Sequence, residues 1–127
     1  MALFTVLIAT ACKKDNEKGI TGKLMNNWSL VQITDTVYAP NTAPAPSKYD
    51  GKPNEYLDFR KDGKLYSFVM NALDTAQYIY SEANLKLDVG GFQYKIIYLT
   101  DVSMVLWEPH FSTSTTGYIA HKVTLRR

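Results

Sequence analysis

The chain has one cysteine, Cys12, so no internal disulfide can brace it. It has two histidines, His110 and His121, and neither a His-x-x-x-His nor a Cys-x-x-Cys spacing. A zinc site needs three or four convergent ligands, so a structural role is the first reading of each histidine. There is no Gly-x-Ser-x-Gly elbow for a nucleophile. The one paired glycine, Gly90-Gly91, lies between strand-like runs and makes no phosphate loop. Neither sign of charge dominates: 14 basic and 12 acidic residues leave +2, which gives no footprint for nucleic acid. No apolar run approaches the roughly 20 residues of a membrane-spanning helix, and no amphipathic helical period stands out. Aromatic residues are abundant instead. Nine tyrosines, five phenylalanines and two tryptophans favour strands.

The start of the chain reads as an address. Met1-Ala-Leu-Phe-Thr-Val-Leu-Ile-Ala-Thr-Ala-Cys12 is an apolar run ending in small residues and a cysteine, and Lys13-Lys14-Asp15-Asn16-Glu17 follows at once. Residues 1–11 are expected to be a signal peptide. No basic residue follows Met1, so its true start is expected upstream. Residues 12–22 are then a lipidated cysteine and a flexible polar tether, and residues 23–127 are the folded domain. A thiolate is the most nucleophilic side chain available to accept a lipid. The bland alternative is an ordinary thiol. Ala9-Thr10-Ala11-Cys12 resembles the lipobox of bacterial lipoproteins, with Ala9 where a larger aliphatic residue is usual. That resemblance implies a membrane anchor of several acyl chains on Cys12 and a place in the bacterial cell envelope, as an outer-membrane lipoprotein facing the periplasm or the cell surface. The basic-then-acidic run looks like the export tags of Bacteroidota surface lipoproteins, or is a solvated linker.

After Lys23 the chain alternates in short runs broken by turn signals. Two hairpins can be put in register. Asp62-Gly63 reads as a two-residue turn, which sets Lys61 opposite Lys64, Phe59 opposite Tyr66 and Leu57 opposite Phe68. These last four then face inward, with Asp58, Ser67, Arg60 and Leu65 outside. Gly90-Gly91 sets Val89 opposite Phe92, Leu87 opposite Tyr94 and Leu85 opposite Ile96. Lys86 falls opposite Lys95 on the outer face, a small repulsion. Further strands are expected at 28–36, at 77–82, at 104–107 (stopped by Pro109) and at 117–127, where Ile119, Val123 and Leu125 share a face. About eight evenly spaced strands predict an all-β fold, a small antiparallel up-and-down barrel whose last strand pairs with its first. Residues 39–53 carry four of the five prolines and no strand pattern. They read as a long loop over one end of the barrel.

Three patterns line up in order: Trp28-Ser-Leu-Val-Gln-Ile, Tyr56-Leu-Asp-Phe-Arg-Lys-Asp-Gly-Lys, and Tyr94-Lys-Ile-Ile-Tyr-Leu-Thr-Asp-Val-Ser-Met-Val-Leu. Together they resemble the lipocalin-like domains of Bacteroidota lipoproteins. Asn26-Asn27 stands where that family often has a glycine before the tryptophan. The resemblance implies a small barrel with a ligand cup and names no substrate.

Chemistry is sparse. No cofactor motif is present and no catalysis is expected. Glu55, Asp58 and Asp62 are close in sequence, but Asp58 falls on the solvent face and Asp62 in a turn. His121 shares strand parity with Ile119 and Val123, so it points to the apolar face or a barrel mouth. The candidate ligand-binding set is aromatic: Phe59, Tyr66, Phe68, Tyr94 and Tyr98 on the inner face, joined by Tyr78 and Tyr80. These either fill the core or line a cup for a small apolar or sugar-like ligand. A lumen lined by Tyr66, Phe68 and Tyr94 favours capture. A filled barrel with an exposed apolar patch favours a protein partner.

Overall fold

The computed structural model describes residues 20–127; Cys12, the expected leader and most of the expected tether lie outside the described residues. A single helical turn, α1 (Ile20–Leu24), takes in residues 20–22, which the sequence reading places in the tether. Among the described residues nine strands follow: β1 (Asn27–Tyr38), β2 (Ala45–Asp50), β3 (Tyr56–Phe59), β4 (Lys64–Val69), β5 (Ala72–Ser81), β6 (Lys86–Val89), β7 (Phe92–Leu99), β8 (Ser103–Ser114) and β9 (Gly117–Arg126). All pairings are antiparallel, and β9 returns to pair with β1 from Ser29↔Arg126 to Tyr38↔Tyr118. The result is a closed barrel of eight strands, with β2 as one extra strand. Closure removes the open edges that a flat sheet would expose.

The barrel is apolar along most of its axis. Leu24, Trp28, Leu87 and Met104 are completely buried, and Phe59, Leu65, Ile96, Leu106, Val123 and Leu125 join them in one cluster. One end is plugged by α1. The Trp28 indole N–H donates to the Leu24 carbonyl at 3.0 Å. The Asn26 side-chain amide donates to the Gly22 and Lys23 carbonyls at 3.0 and 2.8 Å, which satisfies the end of the helical turn.

The second hairpin forms as the alternation predicts, with Val89↔Phe92, Leu87↔Tyr94 and Lys86↔Lys95 paired. Gly90 and Gly91 take φ of 57° and 94°, which only a type I′ turn needs at both positions. Leu85 does not continue the strand. It turns to φ 49° and is 42% exposed, while its carbonyl accepts the Ile96 N–H at 2.8 Å.

The first hairpin takes a register one residue away from the expected one. Gly63 N–H donates to the Arg60 carbonyl and Arg60 N–H to the Lys64 carbonyl. The loop is therefore the three residues Lys61-Asp62-Gly63, with Gly63 left-handed at φ 81°. Such a loop shifts the register by one residue, and a one-residue slip exchanges the faces. Phe59 pairs with Leu65 and Asp58 with Tyr66. Leu65 goes into the core at 6% exposure, and Tyr66 and Phe68 turn to the outer face. Arg60 lies over the Tyr66 ring at 4.1 Å, and the Tyr66 hydroxyl donates to Asp62 at 3.0 Å. Leu65→Ala is expected to cost about 3 kcal/mol, whereas Tyr66→Ala should leave the urea midpoint nearly unchanged. The reverse order would restore the two-residue turn.

Three other elements depart from the sequence reading. The long loop contains β2, which pairs along the upper half of β1 from Gln32↔Asp50 to Val37↔Ala45. Its Pro46 is tolerated because β2 is an edge strand. β8 does not stop before Pro109 but runs to Ser114. Proline fits there because β7–β8 pairing ends at Lys95↔Trp107, and the β8–β9 register shifts between Glu108 and Ser112. A bulge between Ile96 and Tyr98 turns Tyr98 outward, where it is 54% exposed.

Candidate functional site

One row of inward-facing side chains breaks the apolar pattern. Tyr80 pairs with Leu87, and Leu87 with Tyr94. Glu108 pairs with His121, and His121 with Asp35. Tyr94 and Glu108 meet where β7 and β8 part, each one step above the last paired residues, Lys95 and Trp107. Five of these six neighbours carry polar groups. Burying such groups costs stability unless something satisfies them.

The row is positioned by two strand irregularities. A bulge between Leu30 and Gln32 resets the parity of β1, so Ile33 packs on the core and Asp35 follows it inward. The insertion in β8 swings Phe111 over the mouth. The Phe111 ring stacks on His121 at 4.3 Å and leans on Phe92 at 4.9 Å. His121 Nδ1 bonds to Asp35 Oδ1. The Tyr94 ring centre lies 6.0 Å from that of His121. Burial, then the Glu108 and Asp35 carboxylates, push the Tyr94 hydroxyl up to about 12. Tyr94 therefore stays protonated and is a hydrogen-bond donor at physiological pH. The Glu108 carboxylate accepts the His110 N–H at 3.0 Å. Deeper in the row, the Tyr80 hydroxyl is buried and has no hydrogen-bond partner among the described residues.

Among the described residues, a cleft and a groove flank the row. A cleft of about 160 Å³ between β7 and β8 is lined by Tyr94 and Glu108 from inside and by Lys86, Gln93 and Lys95 from outside. A groove of about 280 Å³ sits at the tip of the tall β1–β9 wall, against Val37 and Ile119, one inward step beyond Asp35 and His121. Tyr38 and Tyr118 stack at 4.8 Å beside it.

Of the aromatic residues that the sequence singles out, Phe59, Tyr78, Tyr80 and Tyr94 face the interior, and only Tyr80 and Tyr94 belong to the polar row. Phe59 packs edge-on against Tyr78 at 5.2 Å, and the Tyr78 hydroxyl donates to the Arg60 carbonyl at 2.6 Å, so both are core. Tyr66, Phe68 and Tyr98 are outside. His121 is where its parity places it. Asp35, Glu108 and Phe111 were missed: counting in twos from Trp28 turns Asp35 outward, and only the β1 bulge reverses that. The inward-pointing carboxylate opposite a histidine is the one signal that strand pairing makes readable. Among the described residues, no group of three histidine, cysteine or carboxylate side chains is placed to hold a metal ion.

Glu55 proves unlike Asp58 and Asp62. It is 2% exposed, and its carboxylate accepts the Tyr49 hydroxyl at 2.7 Å and the Lys52 and Met70 N–H groups at 2.6 Å each. It thus ties β2 and its exit loop to the β4–β5 turn. Burial pushes its pKa up, but the hydrogen bonds from Tyr49, Lys52 and Met70 outweigh that and hold it below the usual carboxylate range. A depressed folded-state pKa contributes stability that is present above the unfolded value of about 4.3 and is lost as pH falls through the folded value. The urea midpoint is expected to fall in that acid window. In Glu55→Gln the midpoint should start lower at neutral pH and fall less there.

By fold, the protein is a small closed antiparallel β-barrel with one extra strand and a polar inner row near its mouth. No protein-family model matches the chain, and no curated protein and no solved structure matches it either. Its class rests on its own architecture.

Proposed function

We propose that the protein is a lipid-anchored, lipocalin-like protein of the bacterial envelope that takes a small ligand at the mouth of its barrel. The observation that carries this reading is the inner row of Tyr80, Tyr94, Glu108, His121 and Asp35 inside an otherwise apolar barrel. Polar groups gathered at the mouth of an apolar barrel, His121 largely buried beside a half-exposed Asp35, depart from the local pattern in the way working sites do. The ligand matches that row in kind. It carries a flat or apolar face for Phe111 and Phe92, an acceptor for the Tyr94 hydroxyl and a donor for the carboxylates, as a small sugar-like or aromatic molecule does. The anchor rests on the leader and on Cys12.

A second reading has its own observation. Tyr56, Phe68 and Leu73 lie in register across the outer face of β3, β4 and β5, and Leu73 is 77% exposed. That row suits a protein partner.

Native mass spectrometry of the protein extracted from its own cell separates the two. The expected result is acyl chains on Cys12 and a small molecule that co-purifies with wild type and is lost from His121→Phe. A ligand-free barrel carrying a bound protein chain, released by Phe68→Glu, would favour the second reading.

A further inference from the structure

Strand pairing places four lysines in one line on the outer wall. Lys86 pairs with Lys95, Lys95 with Trp107, Trp107 with Lys122, Lys122 with Thr34 and Thr34 with Lys48. The line crosses six adjacent strands, β6 to β2, and contains no carboxylate. All four lysines are exposed, and among the described residues none makes an ion pair. Acids near the line hold other hydrogen bonds, and Glu108 opens into the cleft that Lys86 and Lys95 flank. Asp88 accepts the Gly91 N–H, Asp50 accepts the Gln32 amide, and Glu108 belongs to the inner row. At the centre sits half-buried Trp107, with the Lys95 ammonium 5.6 Å from its ring centre.

One pair in the line is a small cost to the barrel alone. Like charges placed directly opposite on a sheet destabilise it, and Lys86↔Lys95 is such a pair. We infer that the line is a binding track for an acidic polysaccharide, a linear chain of carboxylated or sulfated sugars. Adjacent strands lie about 4.8 Å apart, so the track extends about 24 Å from Lys86 to Lys48. That length accommodates several sugar units. The lysines neutralise the acidic groups, Trp107 offers a ring face to a sugar, and Thr34 adds a hydroxyl. The track winds around more than half of the barrel's strands. A flexible chain can follow that curve, whereas a flat bilayer meets only the few strands tangent to it. The track runs on the outer face and touches the inner row only at the β7–β8 cleft, where Lys86 and Lys95 share a lining with Tyr94 and Glu108; most of its length, through Trp107, Lys122, Thr34 and Lys48, lies away from the mouth.

The test uses the full chain and polygalacturonate as the probe, with neutral dextran, phosphatidylserine vesicles and single-stranded DNA alongside. Titration is followed by tryptophan emission. Trp28 is sealed in the core, so a change on binding reports Trp107. Polygalacturonate should bind and weaken as salt rises, and dextran, vesicles and DNA should bind far less. Lys95→Glu should lower the affinity by about tenfold or more, the loss of one charge-assisted contact plus a new repulsion. The same change pairs residue 95 with Lys86, so melting temperature should hold or rise, which rules out misfolding as the cause. Lys61→Glu, an equal charge change in the β3–β4 turn, should leave affinity within about twofold. The inference is overturned by no binding of polygalacturonate, by an equal loss in Lys61→Glu, or by tighter binding to the vesicles or the DNA.

Discussion

Trp28→Ala is expected to remove about 4 kcal/mol of stability, the largest loss of any single side-chain truncation in the barrel. Trp28 is completely buried, as are Leu24 and Met104 in the same cluster. Truncation empties the volume of an indole at the plugged end. It also strips the Leu24 carbonyl of its donor at 3.0 Å. Total stability for a domain of this size is about 5–15 kcal/mol, so the variant sits near the threshold of folding. Trp28→Phe keeps most of the volume and loses only the hydrogen bond, which is worth about 1 kcal/mol. Urea titration of the two variants gives both numbers. If Trp28→Ala matched Trp28→Phe, the plug would contribute little, and α1 would be an ornament rather than a lid on the core.

Gly51→Ala is expected to cost about 3 kcal/mol by crowding rather than by cavity. At Gly51 the chain leaves β2 and crosses the β1 bulge, with its N–H donating to the Val31 carbonyl at 2.8 Å. A Cβ there would lie 1.9 Å from the Leu30 carbonyl oxygen and 2.5 Å from its carbon. Those are backbone atoms of a nearly buried strand residue, so no rotamer change relieves the clash. Either β2 lifts off β1 or Leu30 leaves the core. Gly63→Ala is the control. Gly63 has φ +81° with no atom within 4 Å of the added Cβ. It should cost only the left-handed penalty, about 1 kcal/mol. Equal losses at the two positions would mean that the β2–β1 crossing is not held as tightly as its geometry requires.

Much of the barrel was legible in the sequence because local rules suffice for it. Gly90-Gly91 dictates a tight turn, and the alternation on either side agrees with it, so Leu87 and Tyr94 face the core as expected. The parity of Ile119, Val123 and Leu125 is undisturbed along β9, and His121 falls into line with them. The aromatic side chains that face the other way share one cause. Counting in twos puts Tyr66, Phe68 and Tyr98 inside, and each count crosses an extra residue. For the first two it is the added residue in the Lys61-Asp62-Gly63 loop, and for Tyr98 it is the β7 bulge. Asp-Gly serves both two- and three-residue loops, so the dipeptide alone leaves the register open. The choice falls to packing. The observed register buries Leu65 against Phe59 and leaves the Tyr66 hydroxyl to Asp62 and its ring to Arg60.

The candidate site shows the same division. His121 and Tyr94 could be named from parity. Their company could not, because Asp35 owes its direction to the β1 bulge, and Phe111 and Glu108 owe theirs to the β8 insertion beside Pro109. The four lysines of the outer line are scattered over 75 residues of chain, from 48 to 122, and only pairing across six strands puts them side by side.

Side-chain alternation and turn chemistry, both properties of a few neighbouring residues, determined that this protein is an antiparallel all-β barrel closed from last strand to first. Closure itself decided the rest: where the extra residues go, which face each strand shows beyond them, and which distant side chains share a row. A bulge costs little locally and reverses everything downstream, so its position is selected by the fit of the whole barrel and by no short stretch of sequence.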